Sequence, residues 1–330
     1  MSNNREFNKW HDLPVDLKLA ILRHLPFTTL MRFMCLSKEC YSLASRAKAK
    51  VERVMYWYRS HTLGFEPPCV HVSITWESVS GFGYDGYVVE IYEHGTTQSV
   101  LRRLRGAQIR YDQDFESVAV RLLVHYTKIL NVRIVLINQS VMTPGFARAL
   151  RGQLSTSTLQ AKRFGLSTED GSLISVLLPY LPFHSSSILI SNLNHDNVTL
   201  GTDIFDHEAI RTAQEFFSST FKADIYDEQL GKLQASNLGV RSPHITSHSI
   251  NELILEWFRG ERQIAYFRIS TDKLLQWDDL LNGANAADVK SVVDAIGGSG
   301  VGEVLLHSKY GNLFVRMSAH FCELRRVSST

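Results

Sequence analysis

The sequence predicts an α/β protein: a small module of three helices at the N-terminus, then a larger α/β domain that ends in a β-hairpin. Three observations carry this. Residues 13–44, LPVDLKLAILRHLPFTTLMRFMCLSKECYSLA, set apolar residues at helical spacing, broken at Pro26 and Ser37. Beyond Pro67-Pro68, β-rich runs alternate with helical stretches. Strand-like runs starting at Val132, Leu159 and Ser187 recur at about 27 to 28 residues, a spacing that suits stacked strand–turn–helix units.

The first helix starts at Pro14, whose missing N–H costs nothing there, with Asp12 just upstream of its positive end. Leu17, Ile21, Leu22 and Leu25 form one stripe, with Leu13, Val15 and Leu19 off it, so the helix is apolar over more than a core face. Pro26 stops it. Thr28 or Thr29 can cap a second helix carrying Leu30, Phe33 and Met34, with Leu36 beyond. Ser37 can cap a third that runs on through Ala44, Ala47, Val51, Val54, Met55 and Tyr58. Three helices in some 45 residues are too few to bury all of this alone. A partner or the rest of the chain must supply surface.

This pattern resembles the F-box, a three-helix motif that docks on the Skp-type adaptor of cullin–RING ubiquitin ligases. The matching residues, in order and without a gap, are Leu13-Pro14, Leu17, Ile21-Leu22, Leu25, Leu30, Leu36, Ser37, Lys38 and Leu43. Two positions depart from the family: Cys40, with Tyr41 beside it, stands where a Trp is usual, and Pro26-Phe27 replaces an Asp-Pro. The resemblance implies adaptor contact through Leu13, Pro14, Leu17, Ile21, Leu22, Leu30, Leu36 and Leu43, some of them serving the motif's own packing. Surface residues such as Lys18 are expected to matter little.

The module with its connecting helix is placed at residues 8–60 and the larger domain at 66–330, parted by HTLGFEPP at 61–68. Strands are expected at Val70 to Trp76, Gly86 to Tyr92, Val132 to Ile137, Leu159 to Leu166, Ser187 to Ser191, Phe221 to Tyr226, Leu238 to Val240 and Ile264 to Ile269. Helices are expected at Phe115 to Leu130, Gly145 to Leu154, Asp170 to Leu181, His207 to Ser219, Ser249 to Arg259 and Val289 to Ile296. The spacing suits a degenerate leucine-rich-repeat-like solenoid, with an ordinary open α/β sheet as the alternative. Glu303 to Lys309, a turn at Tyr310-Gly311-Asn312, Leu313 to Ala319 and a strand near Phe321 read as a closing hairpin.

Residues 66–330 also resemble the F-box-associated domains of the nematode-expanded F-box families. The likeness rests on Ile250 to Leu253, Leu255 to Gly260, Ile264 to Ile269, Leu177 to Leu181 and the terminal hairpin. It implies capture of a protein substrate and no catalytic residues.

The net charge of +2 is uneven: residues 1–60 hold 11 Lys/Arg and 5 Asp/Glu, a balance of +6 that leaves −4 for the remainder. Arg46, Lys48, Lys50, Arg53 and Arg59 carry much of it. Tyr56, Trp57 and Tyr58 lie nearby, but packing explains Tyr58, so a solvated basic face meeting an acidic adaptor is expected rather than nucleic-acid binding. No apolar run spans a bilayer, the start is too polar for a signal peptide, and no membrane association is expected. Cys35, Cys40, Cys69 and Cys322 form no framework, which fits free thiols in a reducing compartment, cytoplasmic or nuclear. The sequons at Asn138 and Asn197 then carry no meaning.

Four chemical motifs are set aside. Gly81, Gly83 and Gly86 spell a dinucleotide fingerprint, but a β-prone run follows where a helix is needed. The glycine-rich run at 297–302 lacks the Lys-Ser/Thr of a phosphate loop. His244 and His248 stand four apart in a loop-like segment with no Glu between, and His195-Asp196 lies in a polar loop with no nucleophile placed by a recognisable elbow. Trp257 and Phe258 read as core. No enzyme, cofactor or metal site is expected; the function implied is a substrate receptor of a Skp–cullin–F-box ligase, the alternative a non-ligase F-box scaffold.

Overall fold

The structure is a computed structural model that describes residues 10–59, 68–77, 84–94, 98–103, 108–154, 158–192, 198–218, 220–284, 289–293 and 301–327. Three N-terminal helices are followed by a larger, sheet-rich α/β region. The chain divides into two compact units, one of Met1–Leu136 with Arg148–Ala161, the other of Ile137–Ala147 with Lys162–Thr330. The helical module therefore shares a unit with the strands after it, and the units do not part at 61–68. Residues 61–67 of that expected linker lie outside the described residues.

The first unit contains α1 (Val15–Arg23), α2 (Phe27–Met34), α3 (Lys38–Ala47), β1 (Lys50–Arg59), β2 (Cys69–Glu77), β3 (Tyr84–Glu93), β4 (Ser99–Arg103), β5 (Gln108–Tyr111) and α4 (Phe115–Ile129). The strands form an antiparallel meander in which each pairs with the next. The connecting helix expected beyond residue 47 is replaced by a strand. α3 ends where Lys48 turns into the left-handed region at φ 49°, and β1 aligns Val54 with Ile74 and Tyr56 with Val72. Val51, Val54 and Tyr58 fit helical steps, yet Val54 and Tyr56 at a step of two are the fully buried pair. β-branched and aromatic side chains packed on a pleated face decided the matter. Asp114 starts α4 by accepting hydrogen bonds from the Ser117 N–H at 2.9 Å and its hydroxyl at 2.7 Å.

β6 (Asn131–Asn138) and α5 (Pro144–Leu154) follow, each with residues in both units. The second unit then runs through β7 (Arg163–Thr168), α6 (Gly171–Leu177), a 3₁₀ turn at Leu178–Tyr180, β8 (Ser187–Asn192), β9 (Thr199–Leu200), α7 (Thr202–Asp206), α8 (Glu208–Arg211), β10 (Glu215–Phe217), β11 (Lys222–Ala223), α9 (Asp227–Lys232), β12 (Asn237–Ser242), α10 (Ser247–Arg259), β13 (Tyr266–Thr271) and α11 (Trp277–Leu280). β14 (Val289–Val293), β15 (Gly302–Ser308), β16 (Gly311–Ser318) and β17 (Phe321–Val327) complete it.

Strands β7, β8, β10, β12 and β13 lie side by side in chain order, all parallel, with β9 and β11 making a second, two-stranded parallel sheet. Helical segments fill the connections, so successive turns of chain stack. Two expected elements change. The strand placed at Phe221 to Tyr226 shrinks to β11, and the helix placed at His207 to Ser219 stops at Arg211 so that Glu215–Phe217 can join the main sheet. The helix expected at Val289 to Ile296 is a strand at Val289–Val293. The closing hairpin is present and larger than expected: β14 to β17 are antiparallel, and β17 pairs with β13.

The register builds two buried rows across the parallel sheet. Phe164, Ile188, Phe216, Leu238 and Phe267 align in one; Leu166 pairs with Ile190, and Val240 with Ile269, in the next. A polar row ends the strands: Thr168, Asn192, Ser242 and Thr271 are all buried. Each finds a partner one turn away. Thr168 Oγ1 donates to the Ser140 carbonyl at 3.1 Å, Ser242 Oγ to Ile225 at 2.7 Å and Thr271 Oγ1 to Ile245 at 2.7 Å, while the Asn192 N–H donates to Thr220 Oγ1 at 2.9 Å. Asp170, capping α6, is partly desolvated, which works against its charge. Hydrogen bonds from the Ser172 hydroxyl and from the Met142 and Ser172 N–H groups outweigh this and hold its carboxyl below the usual range.

α10 ends on Gly260 at φ 78°, a left-handed cap. A Cβ there would stand 2.3 Å from the Tyr310 ring. Gly260→Ala is expected to cost about 1–2 kcal/mol for the conformation alone and more for the clash. Chemical denaturation of the single variant and of Gly260→Ala with Tyr310→Ala measures both; equal losses would mean that the ring yields freely.

Candidate functional site

The three helices α1–α3 form the candidate site. α1 buries Lys18, Leu19 and Leu22, α2 buries Phe27, Leu30 and Met34, and α3 buries Leu43, Ala44 and Ala47. The buried face of α1 is thus rotated from the expected stripe. Leu19, read as lying off the stripe, is in the core, while Leu17 and Ile21, read as part of it, point to solvent. Thr28 and Thr29 lie inside α2, which starts from Pro26 rather than from a threonine cap. Ser37 does cap α3, its hydroxyl accepting the Cys40 N–H at 3.0 Å.

The eight residues singled out for partner contact separate into two groups. Leu22, Leu30 and Leu43 are buried in the core of the unit, out of a partner's reach as the structure stands. Leu17 is 53% exposed, Ile21 44% and Leu36 73%; Pro14 is also exposed and Leu13 half-exposed. Val15 and Tyr41 belong with the exposed group and were not singled out. Leu17 and Ile21, one turn apart, stand on one face of α1, where water gains nothing from them. Lys18, expected to be a neutral surface residue, is buried: its ammonium donates to the His11 carbonyl at 3.1 Å and lies 5.9 Å from the Trp10 ring centroid. Trp10 in turn meets Phe33 edge to face, centroids 5.5 Å apart.

Two aromatic contacts help hold the module in its unit. Phe27 of α2 packs on Trp76 of β2 with centroids 4.8 Å apart. Tyr41 of α3 stacks on His125 of α4, its hydroxyl 3.5 Å from Nδ1. Burial, with Lys128 adding to it, holds the His125 imidazole below its ordinary range; burial does the same to His71 on β2 against the pull of Glu90. The basic residues Arg46, Lys48, Lys50 and Arg59 are exposed as expected, with Arg53 half-buried. Lys48 donates to Gln160 at 3.0 Å. Trp57 is exposed but meets His71 edge to face.

Gly86 lies in β3, while Gly81 and Gly83, His195-Asp196 and residues 297–300 are outside the described residues. His244 Nε2 lies 2.7 Å from Asp224 Oδ1 and its ring stacks on Tyr226; His248 lies in the first turn of α10. Among the described residues no three His, Cys, Asp or Glu side chains converge as for a metal, and no helix is long and apolar enough to cross a membrane. The four cysteines are free thiols, and burial pushes that of Cys322 far up, so it stays protonated. Trp257 is core.

Two outcomes follow from this geometry. Leu22→Ala should cost about 2–5 kcal/mol of stability, whereas Leu17→Ala should stay within about 0.5 kcal/mol; urea denaturation distinguishes them, and equal losses would contradict the burial. Because the folded chain resists protonating His125 and His71, more protons bind to the unfolded state just below pH 6.5, the ordinary value. Stability is therefore full above that pH and falls as pH drops through it. Melting curves between pH 7.5 and 5.5 should show the decline, and His125→Phe should flatten it. An unchanged slope in that variant would remove His125 from the account.

Residues 10–51 match the family model of the F-box domain, which spans α1–α3 and the start of β1. No characterised protein and no solved structure matches the chain. The chain thus carries an F-box domain at residues 10–51, the feature of proteins that bind a Skp-type adaptor.

Proposed function

We propose that this chain is the substrate-receptor subunit of a Skp–cullin–F-box ubiquitin ligase. The observation that carries the reading is the exposed apolar side chains of the F-box helices, Leu17 and Ile21 on one face of α1 and Leu36 between α2 and α3, on a module whose core the rest of its unit already completes. Exposed apolar side chains such as Leu17 and Ile21, adjacent on one helix face, mark a protein contact. Through the adaptor the chain joins a cullin. Its second unit, a degenerate leucine-rich-repeat-like stack akin to the F-box-associated domains of the nematode-expanded families, holds a target protein.

The chain itself does no chemistry on this reading. Tethering raises the effective concentration of target lysines near the charged conjugating enzyme. The stacked parallel turns support the repeat reading, since each turn buries its apolar row only against its neighbours. No cofactor is needed, and the chain works in the cytoplasm, the nucleus or both.

The test is a pull-down of the full chain with purified Skp-type adaptor. Leu17→Asp with Ile21→Asp should weaken capture at least tenfold, about 1.4 kcal/mol, while the melting temperature holds. Capture by the intact chain that survives this change would place the contact elsewhere. Adaptor binding with no cullin recruitment and no ubiquitin transfer would turn the reading into that of a scaffold.

A further inference from the structure

Resting on the receptor reading above, we propose that the open face of the β8–β13 sheet takes the target, and that the target presents an extended segment pairing an apolar side chain with carboxylates. Residues alternate along each parallel strand, so those between the buried rows face outward. The register puts Leu189, Phe217, Gly239 and Arg268 in one outward row across four strands. Leu189 is 47% exposed. The Phe217 ring lies on Gly239, where a Cβ would stand 2.5 Å from it. The glycine leaves room for the ring, and Leu189 is next in register on the other side of Phe217, which together make a shallow apolar seat.

The cations next to this seat lack partners of opposite sign. Arg241, exposed on β12, and Arg268, exposed on β13, form no ion pair among the described residues. The Arg268 guanidinium is instead held 5.5 Å from the Phe321 ring centroid, and Glu323, its register partner, is not joined to it. Glu215 on the same face is already met by Arg163 at 3.9 Å. Guanidinium groups with unspent donors recognise carboxylates, two bonds at a time. A partner that matches both features carries acids and an apolar residue together. From Leu189 to Arg268 is three strand spacings, about 14 Å, which is about four residues of extended chain. The apolar side chain and the acid should therefore stand about four residues apart.

The probe is a set of labelled twelve-residue peptides with one Leu and two Glu, the nearer Glu four residues from the Leu. The comparison peptides place Lys for Glu, or bring the Glu next to the Leu. Fluorescence anisotropy is read on the full chain and on two variants, Arg241→Glu with Arg268→Glu, and Leu189→Asp. The spaced acidic peptide should bind best, weaken with salt and lose at least tenfold in either variant. Equal binding of the lysine peptide, no binding of any peptide, or unchanged binding by the charge-reversed variant would each overturn the proposal. So would a single-stranded oligonucleotide that binds tighter than every peptide, which would make the face one for nucleic acid. Adaptor capture is measured on the same samples. Variants that keep their melting temperature and still bind adaptor separate failure of this face from failure of the receptor reading.

Discussion

The second unit depends on one set of interactions: the buried hydroxyls of Thr168, Ser242 and Thr271 find partners. Each of several parallel strands ends on such a group, and for Thr168, Ser242 and Thr271 the partner is a main-chain carbonyl on a neighbouring turn of the stack. An unsatisfied group in that place would cost about 1–3 kcal/mol. The apolar rows alone would tolerate sliding of one turn past the next, because any aliphatic side chain packs on any other. The polar row does not, since it demands one carbonyl at one height. Register, and with it the alignment of Leu189, Phe217 and Gly239 on the opposite face, follows from that demand.

The first unit solves a different difficulty. A module of three short helices has too little interior to stand alone, and the missing surface comes from the same chain. Trp76 lies against Phe27, and His125 against Tyr41. With its interior completed this way, the module keeps Leu17, Ile21 and Leu36 outside, where they serve no internal purpose.

Much of this was legible in the residues. Pro26 and Ser37 separate the helices, the runs at Val132, Ser187, Leu238 and Ile264 mark strands, and the order of leucines matches the F-box. The excess of apolar surface on α1 was also readable, but its phase was not. Leu17 and Leu19 are the same amino acid, and only the packing of α1 against α3 settles which one turns inward. β1 was misread because Val51, Val54 and Tyr58 fit a helix by spacing while their branched and aromatic shapes favour a strand that β2 stood ready to pair. β10 is three residues long, too short for any period to register. Lys18 looked like surface because its ammonium contacts, the His11 carbonyl and the Trp10 ring, are matters of folding and not of pattern.

The sharing of an interior between the F-box helices and the strands behind them means that these helices are not a portable tag. On the proposed receptor reading, adaptor binding and the folding of the β-meander are thermodynamically linked, so an adaptor bound to the native form stabilises the strands along with the helices. The linkage runs both ways. On that reading a substitution at Trp76, far along the chain from the leucines, would register in a cell as a failure to assemble, although Leu17, Ile21 and Leu36 were unchanged.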